Sequence, residues 1–129
     1  MDPRALIAVG IGGGIGTILR YIVGSVFVQR LGPGFPWGTL FINVTGSFLI
    51  GVVAQLAATR SLEISPVVRI FAATGVLGGY TTFSTFSLDS IVLIGDGAAP
   101  LASAYVVGSV VAGLLAAYAG QVAARLSLG

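Results

Sequence analysis

The sequence contains no cysteine, no histidine and no lysine, and each absence removes a class of chemistry. Without cysteine or histidine the chain cannot form disulfides, ligate haem or build the usual zinc sites. The side chain that most readily titrates near neutral pH is also missing. The basic residues are six scattered arginines, a pattern that does not favour nucleic acid as a partner. No nucleophile–base pair stands out, so we predict that the protein is not an enzyme.

Charged residues are also scarce, at 8% of the chain, whereas soluble domains carry about 25%. Long uncharged stretches take their place, and they cover residues 5–19, 31–59, 70–88 and 97–124. A helix needs roughly 20 apolar residues to cross a bilayer, and the first stretch reaches that length by continuing past Arg20. The composition therefore indicates a membrane protein in contact with the lipid bilayer.

We predict an all-α fold that forms a single transmembrane domain of four helices over residues 1–129. Short connections rich in glycine, proline and serine separate the spans. The predicted helices cover about residues 4–28, 37–59, 67–94 and 99–125. A cleaved signal peptide is the less favoured interpretation of the N-terminus, because the apolar stretch is long and its basic leader is a single arginine beside Asp2.

Glycines crowd the first predicted helix in the segment GIGGGIG, with a spacing of four at Gly10/Gly14 and at Gly12/Gly16. This spacing lets another helix approach closely. A nucleotide-binding glycine motif would need a strand before it and an amphipathic helix after it, and the sequence offers neither. We expect these glycines to pack against another helix.

Asn43 lies near the start of the second predicted helix, in the segment GTLFINVTGSF. Thr39 and Ser47 share its helical face at a spacing of four residues. A buried amide requires hydrogen-bond partners, and two uses fit this position equally well. The amide can join helices as a structural link, or it can line a pore as a donor.

The most unusual segment is GGYTTFSTFS at residues 78–87, within the third apolar stretch. Gly75, Gly78 and Gly79 precede two threonines, and because glycine weakens helices, we predict that the glycines break the third helix at its centre. Backbone freed at membrane depth must be buried or line a cavity. Carbonyls of the first half-helix would then attract cations, and the N-terminus of the second half would favour anions.

Two phenylalanines follow the predicted break, and Phe83 and Phe86 share a face because they are three residues apart. Packing in a core or against lipid is the common use of such a pair. Hydroxyl residues surround both of them, however, and the edge of an aromatic ring is electropositive. In that setting a ring edge can face a small anion.

Four segments together resemble the Fluc (CrcB) family of fluoride channels: GGGIGTILRY, GTLFINVTGSFLIG, ATGVLGGYTTFSTFS and AYVVGS. The resemblance extends over essentially the whole chain, and GGYTTFSTFS downstream of GTLFINVTG is its most specific part. It implies an antiparallel homodimer of dual topology in a bacterial inner membrane. The implied activity is passive export of fluoride through two pores, which reduces fluoride toxicity in the cytoplasm.

The resemblance also assigns residues to the fluoride pathway. It implies that Asn43 lines the pore and that the ring edges of Phe83 and Phe86 meet the ion. Hydroxyls after the break would form a polar track, and two residues of the fourth helix match pore-lining positions of some members. These further pathway residues are Ser84, Thr85, Tyr105 and Ser109.

The resemblance implies a structural sodium ion at the dimer interface, held by the backbone carbonyls of Gly78 and Thr81. It places Arg20 in a vestibule, where the guanidinium would attract anions. Asp89 stands where many members have glutamate, and the resemblance assigns it no role.

The arginines divide unevenly between the two predicted membrane faces. One face receives four of them, at positions Arg4, Arg60, Arg69 and Arg125. The other face receives Arg30, together with Arg20. The positive-inside rule then favours a single orientation with both termini in the cytoplasm, whereas an antiparallel dimer needs both orientations.

Two other functions stay open at the level of sequence. A small proton-coupled exporter would need a carboxylate within the membrane; the first helix has none, and Asp89 lies near an end of the third. A membrane subunit that does not transport would explain the glycines of the first helix but not the hydroxyl cluster.

Overall fold

The structure is a computed structural model that describes residues 1–59 and 63–128. Every regular element within these ranges is helical, which confirms the predicted all-α fold for this part of the chain. Arg60, which the topology argument uses, lies outside the described residues. In chain order the elements are α1 (Pro3–Leu31), α2 (Trp37–Ala58), α3 (Pro66–Ile70), a π-helical segment (Phe71–Leu77), α4 (Gly78–Tyr80), α5 (Phe83–Gly95) and α6 (Ala99–Leu128).

Three helices of the described chain, α1, α2 and α6, are long and apolar enough to cross a membrane. Each contains an apolar stretch of 18 residues, and only 11%, 17% and 11% of these stretches, respectively, are buried inside the structure. Most of their apolar surface therefore faces outward, an arrangement that suits lipid rather than water. The chain is a membrane protein.

Both ends of α1 are set by residues suited to helix termini. The carboxylate of Asp2 accepts a hydrogen bond from the backbone N–H of Arg4, and Pro3 stands in the first turn, where no N–H is needed. At the other end Gly32 has a φ of 76°, a conformation that favours glycine and stops the helix. The helix therefore continues to Leu31, past the end predicted at residue 28.

The chain between α2 and α6 is divided into several shorter elements. Ser65 caps α3 through its hydroxyl, and the helix then widens into the π-helical segment. Helical backbone stops after Tyr80 and resumes at Phe83. The residues between them, Thr81 and Thr82, have extended backbone, with ψ of 158° and φ of −152° respectively. We call these two threonines the helix break.

The prediction that the glycines themselves break the helix is wrong. Gly78 has ordinary helical backbone, with φ of −64° and ψ of −35°, and Gly75 lies within the π-helical segment. Gly75 and Gly79 instead allow close packing against α1. A Cβ on Gly79 would lie 2.5 Å from the carbonyl oxygen of Gly13, and one on Gly75 would lie 3.0 Å from the Cα of Gly12.

The glycine run of α1 packs as predicted, on one of its two faces. A Cβ on Gly12 would lie 2.8 Å from a carbonyl oxygen of the π-helical segment, and one on Gly16 would overlap another carbonyl there. Gly10 and Gly14, in contrast, have no described neighbour within 4 Å of that position. The close contact with α1 thus depends on Gly12 and Gly16.

A second pair of glycines joins α2 to α6. A Cβ on Gly51 would overlap the carbonyl of Ala117, and one on Gly120 would overlap the carbonyl of Phe48. These two backbones therefore approach closely. α5 lies beside the first half of α6, where a small buried cluster contains Leu93, Ala102 and Tyr105.

Gly16→Ala is expected to destabilise the protein, because the new methyl group would overlap the backbone of the π-helical segment. Overpacking of this kind costs about 1–3 kcal/mol. Gly14→Ala is the matched control, since it makes the same change on an open face of the same helix. Thermal unfolding of detergent-solubilised protein should show a lowered midpoint for Gly16→Ala alone. Equal midpoints for the two variants would contradict the close packing of α1.

Candidate functional site

Asn43 of α2 holds the helix break through both ends of its side-chain amide. The amide nitrogen donates to the carbonyl oxygen of Thr82 at 3.0 Å, and the amide oxygen accepts from the N–H of Thr82 at 2.8 Å. These bonds satisfy backbone groups that have left the helix, as a membrane interior requires. Asn43 also lines a cavity of about 380 Å³, which we call the central cavity. The helix-joining use of Asn43 is therefore present, and the pore-lining use is compatible with it.

Side chains around the break compete with helical hydrogen bonding and so fix where the helix stops. The N–H of Thr82 donates to Asn43 and not to the carbonyl of Gly78, its partner in a continuous helix. The hydroxyl of Thr82 accepts from the N–H of Thr85 at 3.2 Å and caps the start of α5. Threonine is well suited to this position, since its hydroxyl bonds readily to nearby backbone.

Arg20 of α1 reaches the other residue of the break. Its guanidinium donates to the carbonyl oxygen of Thr81 at 3.4 Å, at the end of α4 where carbonyls carry partial negative charge. Arg20 also lines a cavity of about 610 Å³, which we call the arginine cavity. Hydroxyl and amide groups share this lining, from Tyr21, Ser25, Gln29, Thr39, Thr82 and Thr85. A guanidinium among neutral donors makes the cavity attractive to anions.

Hydroxyl groups cluster at the start of α5. Thr82 Oγ1 lies 3.3 Å from Ser84 Oγ, and it donates to Thr85 Oγ1 at 3.0 Å. Ser84 and Thr85 are both exposed on this chain. The N-terminus of α5 adds partial positive charge beside them. This corner of the structure therefore offers several donors to an anion.

The two phenylalanines of α5 differ in burial. Phe83 is 78% exposed, whereas Phe86 is half-buried. Their ring centroids lie 5.6 Å apart, and the ring of Phe86 lies 5.3 Å from that of Tyr105. Both phenylalanines line the central cavity together with Asn43. The structure thus brings the two rings and the amide to one place.

Tyr105 of α6 is 1% exposed, and its hydroxyl donates to the carboxylate of Asp89 at 3.2 Å. This pair is not among the predictions made from the sequence. The feature of the sequence that could have indicated it is Asp89 itself, because a carboxylate in an apolar segment requires a partner. The ring of Tyr105 also lines an apolar cavity of about 360 Å³ between α1, α2 and α6, which we call the aromatic cavity.

Ser109, one helical turn after Tyr105, lines both the central and the aromatic cavity. Its hydroxyl oxygen is buried and has no hydrogen-bond partner. Among the described residues, it is the only buried side-chain nitrogen or oxygen atom without a partner. A buried hydroxyl without a partner is unfavourable. The hydroxyl of Ser109 is therefore available to a ligand in the central cavity.

The predicted site residues fall around three cavities and not one. Most of them line the central cavity, namely Asn43, Gly78, Thr81, Phe83, Phe86 and Ser109. Arg20 and Thr85 line the arginine cavity, and Tyr105 lines the aromatic cavity. Ser84 is connected to the first two through Thr82, which lines both of them.

Comparison with known proteins places these residues in a family context. Residues 7–121 match the family model described as CrcB-like protein, Camphor Resistance (CrcB). The chain is 54% identical over 115 residues to the Fluoride-specific ion channel FluC of Rhizobium meliloti, a match that covers 89% of this chain and 91% of the relative. It is 48% identical over 121 residues to the protein of that name from Agrobacterium fabrum, with 94% of each chain covered.

A relative of lower identity carries the same name and also matches along most of both chains. The Fluoride-specific ion channel FluC of Chlorobium luteolum is 42% identical over 123 residues, which cover 95% of this chain and 94% of the relative. The range matched by the family model contains every candidate site residue described above.

Asn43→Asp is expected to destabilise the protein, because a carboxylate oxygen would replace the nitrogen that donates to the Thr82 carbonyl. An acceptor left without its donor costs about 1–3 kcal/mol when it is buried. Gln29→Glu is the control, since it makes the same amide-to-carboxylate change at an exposed position of α1. The measurement is the thermal unfolding midpoint in detergent. If Asn43→Asp unfolds at the same temperature as Gln29→Glu, the amide does not hold the break.

Proposed function

Since the chain belongs to the CrcB-like protein family, we propose that it is a fluoride-selective channel. In this proposal it lies in a bacterial inner membrane and exports the ion passively, which lowers fluoride toxicity in the cytoplasm. The observation that carries the proposal is the name shared by relatives that match this chain along most of both lengths. The central cavity supports it independently, because an amide, a free hydroxyl and two aromatic rings meet there.

The proposed path begins in the arginine cavity. Fluoride is strongly hydrated, so a conducting path must replace its water with close donors. The guanidinium of Arg20 attracts the anion into this cavity. The hydroxyls of Ser84 and Thr85, at the positive end of α5, then form a polar track. The track leads past Thr82 into the central cavity, because Thr82 lines both spaces.

Within the central cavity the proposed contacts are individually weak. Asn43 uses one amide hydrogen for the Thr82 carbonyl, which leaves the second hydrogen for the anion. The hydroxyl of Ser109 has no protein partner and can donate as well. The edges of Phe83 and Phe86 present electropositive ring hydrogens. Several weak donors in sequence suit conduction, since an ion held too tightly would not leave.

Tyr105 takes part in this proposal mainly through its neighbours. Its ring packs 5.3 Å from that of Phe86 and so supports the orientation of the phenylalanine. Its hydroxyl donates to the carboxylate of Asp89, which would otherwise present an unpaired negative charge near the path of an anion. Both contacts favour passage of fluoride along α5.

The third apolar segment crosses the membrane in this proposal as two half-helices that meet at the break, and a second copy of the chain covers it. Phe83 is 78% exposed, and a Cβ on Gly78 would have no described atom closer than 3.8 Å. The face around the break is therefore open. An antiparallel homodimer would close this face through a two-fold axis in the membrane plane. Such a dimer has two pores and needs dual topology.

Sodium at the dimer interface is compatible with the carbonyls near the break. The carbonyl of Gly78 lacks the N–H of Thr82 as its helical donor, and unwound carbonyls bind sodium in transporters with interrupted helices. The carbonyl of Thr81 would be the other ligand from each copy, although Arg20 donates to the same oxygen at 3.4 Å. Bound there, the ion would offset the partial negative charge of both half-helix ends.

Purified protein reconstituted in liposomes is expected to release fluoride rapidly and chloride much more slowly, as measured with ion-selective electrodes. Phe83→Ile and Phe86→Ile keep apolar bulk but remove the polarised ring edge. This edge contributes about 0.5–1.5 kcal/mol in pairs of aromatic rings, and we expect a contribution of the same size in its contact with fluoride. Each should slow fluoride efflux by about two- to tenfold. Phe48→Ile is the control, because Phe48 is an exposed ring of α2 outside the central cavity.

Two results would count against the proposal in different ways. Folded wild-type protein that releases no fluoride would refute the channel function itself. Normal efflux from both α5 variants would refute only the role of the ring edges.

The orientation of the subunits can be determined by labelling single introduced cysteines, because the natural chain contains no cysteine. Ser127→Cys and Gly34→Cys place thiols at exposed positions near the end of α6 and after α1. In an antiparallel dimer, an impermeant thiol reagent should label about half the copies of each variant in intact vesicles. Full labelling of one variant and none of the other would show a single orientation and exclude the antiparallel arrangement.

A further inference from the structure

Tyr80, the last residue of α4, makes a contact that the proposed pathway does not use. The side chain is buried, and its hydroxyl lies 3.0 Å from the hydroxyl of Thr45 on α2. Thr45 Oγ1 also lies 2.7 Å from the carbonyl oxygen of Phe41. A hydroxyl has a single proton to donate, and the short bond to Phe41 uses the proton of Thr45. Tyr80 is therefore the donor, and Thr45 the acceptor, in the contact between them.

The residue after Tyr80 is held by the same part of α2. The methyl group of Thr81 occupies the space that a Cβ on Gly46 would fill, and the ring of Tyr80 would lie 3.4 Å from that Cβ. Asn43 then binds the backbone of Thr82. Three consecutive residues, 80, 81 and 82, are thus held by one short stretch of α2, residues 43–46.

We infer that the hydrogen bond from Tyr80 to Thr45 positions the helix break, and that it thereby sets how strictly the pathway distinguishes fluoride from larger anions. The inference rests on the proposed function. Tyr80 is a positioning residue in this view, since it acts through Thr81 and Thr82 and lines none of the three cavities.

Selectivity should be more sensitive to this bond than conduction is. Asn43 holds the break from one end and Tyr80 from the other. Without the Tyr80 bond, residues 80 and 81 are held less firmly to α2. The donors that follow the break, Ser84 and the ring edges of α5, are then less fixed. A looser set of donors still passes fluoride but fits it less closely, so a larger anion is excluded less well.

Tyr80→Phe is a clean test, because it removes one hydroxyl and keeps the ring beside Gly46. The proton of Thr45 stays on the Phe41 carbonyl, so no buried donor loses its partner. We expect the ratio of fluoride to chloride efflux from liposomes to fall by about two- to tenfold. This factor corresponds to the net free energy of one hydrogen bond when it is lost from a transition state. Tyr118→Phe is the matched control, since Tyr118 is 67% exposed on α6.

Variants at Thr45 test the same bond from its other side. Thr45→Ser keeps the acceptor and should keep the wild-type ratio. Thr45→Val removes the acceptor at equal volume and should lower the ratio as Tyr80→Phe does. The double variant Tyr80→Phe/Thr45→Val should be no worse than either single change, because the two residues act as one unit.

Three results would overturn the inference. The first is an unchanged ratio in Tyr80→Phe, and if both rates also fall by the same factor, the bond has a merely structural role. If Tyr80→Phe does not fold, equal ratios for Thr45→Ser and Thr45→Val would overturn it instead. Wild-type protein without fluoride efflux would refute the channel proposal and this inference together. Normal fluoride efflux from the wild-type protein, with an unchanged ratio in Tyr80→Phe, would refute the positioning role alone.

Discussion

A backbone that leaves helical geometry inside a membrane must find partners for its N–H and C=O groups, and the structure around the break follows from this requirement. The N–H of Thr81 still donates to Leu77 at 3.0 Å, within the helical pattern. The carbonyl of Thr81 accepts from Arg20, and both backbone groups of Thr82 bind Asn43. Side chains from α1 and α2 are therefore drawn to the same two threonines. The candidate pathway is built around those threonines.

Close helix packing makes these partners reachable. Arg20 sits one turn after Gly16, whose missing side chain lets α1 lie against the π-helical segment. Gly46, close to Asn43 on α2, likewise makes room for the methyl of Thr81. The same glycines thus serve the packing of the bundle and the hydrogen bonds of the site. For this reason a substitution made to fill space in α1 or α2 would also change the geometry of the break.

The sequence predicts the fold class well, because long uncharged stretches have few stable forms other than membrane helices. It predicts the site less completely. The spacing of glycines in α1 indicates a close contact but does not say that Gly16 is covered and Gly14 is open. Glycine propensity points to a break, yet propensity yields to tertiary contacts. The position of the break depends on Asn43, far away in the sequence, and local patterns contain no information about that contact.

The π-helical segment has a consequence for how this protein tolerates changes in length. Its wider turns accommodate an extra residue relative to an α-helix, with hydrogen bonds that skip one position further along the chain. Deleting one residue between 71 and 77 would remove the residue that the wider turns absorb and would restore α-helical winding, so α3 would keep its face relative to the break. A deletion of one residue in α5, which is α-helical throughout, would instead turn the residues on its two sides by about 100° relative to each other. The π-helical segment is therefore the part of this chain that can absorb a change of one residue in length without turning its neighbours.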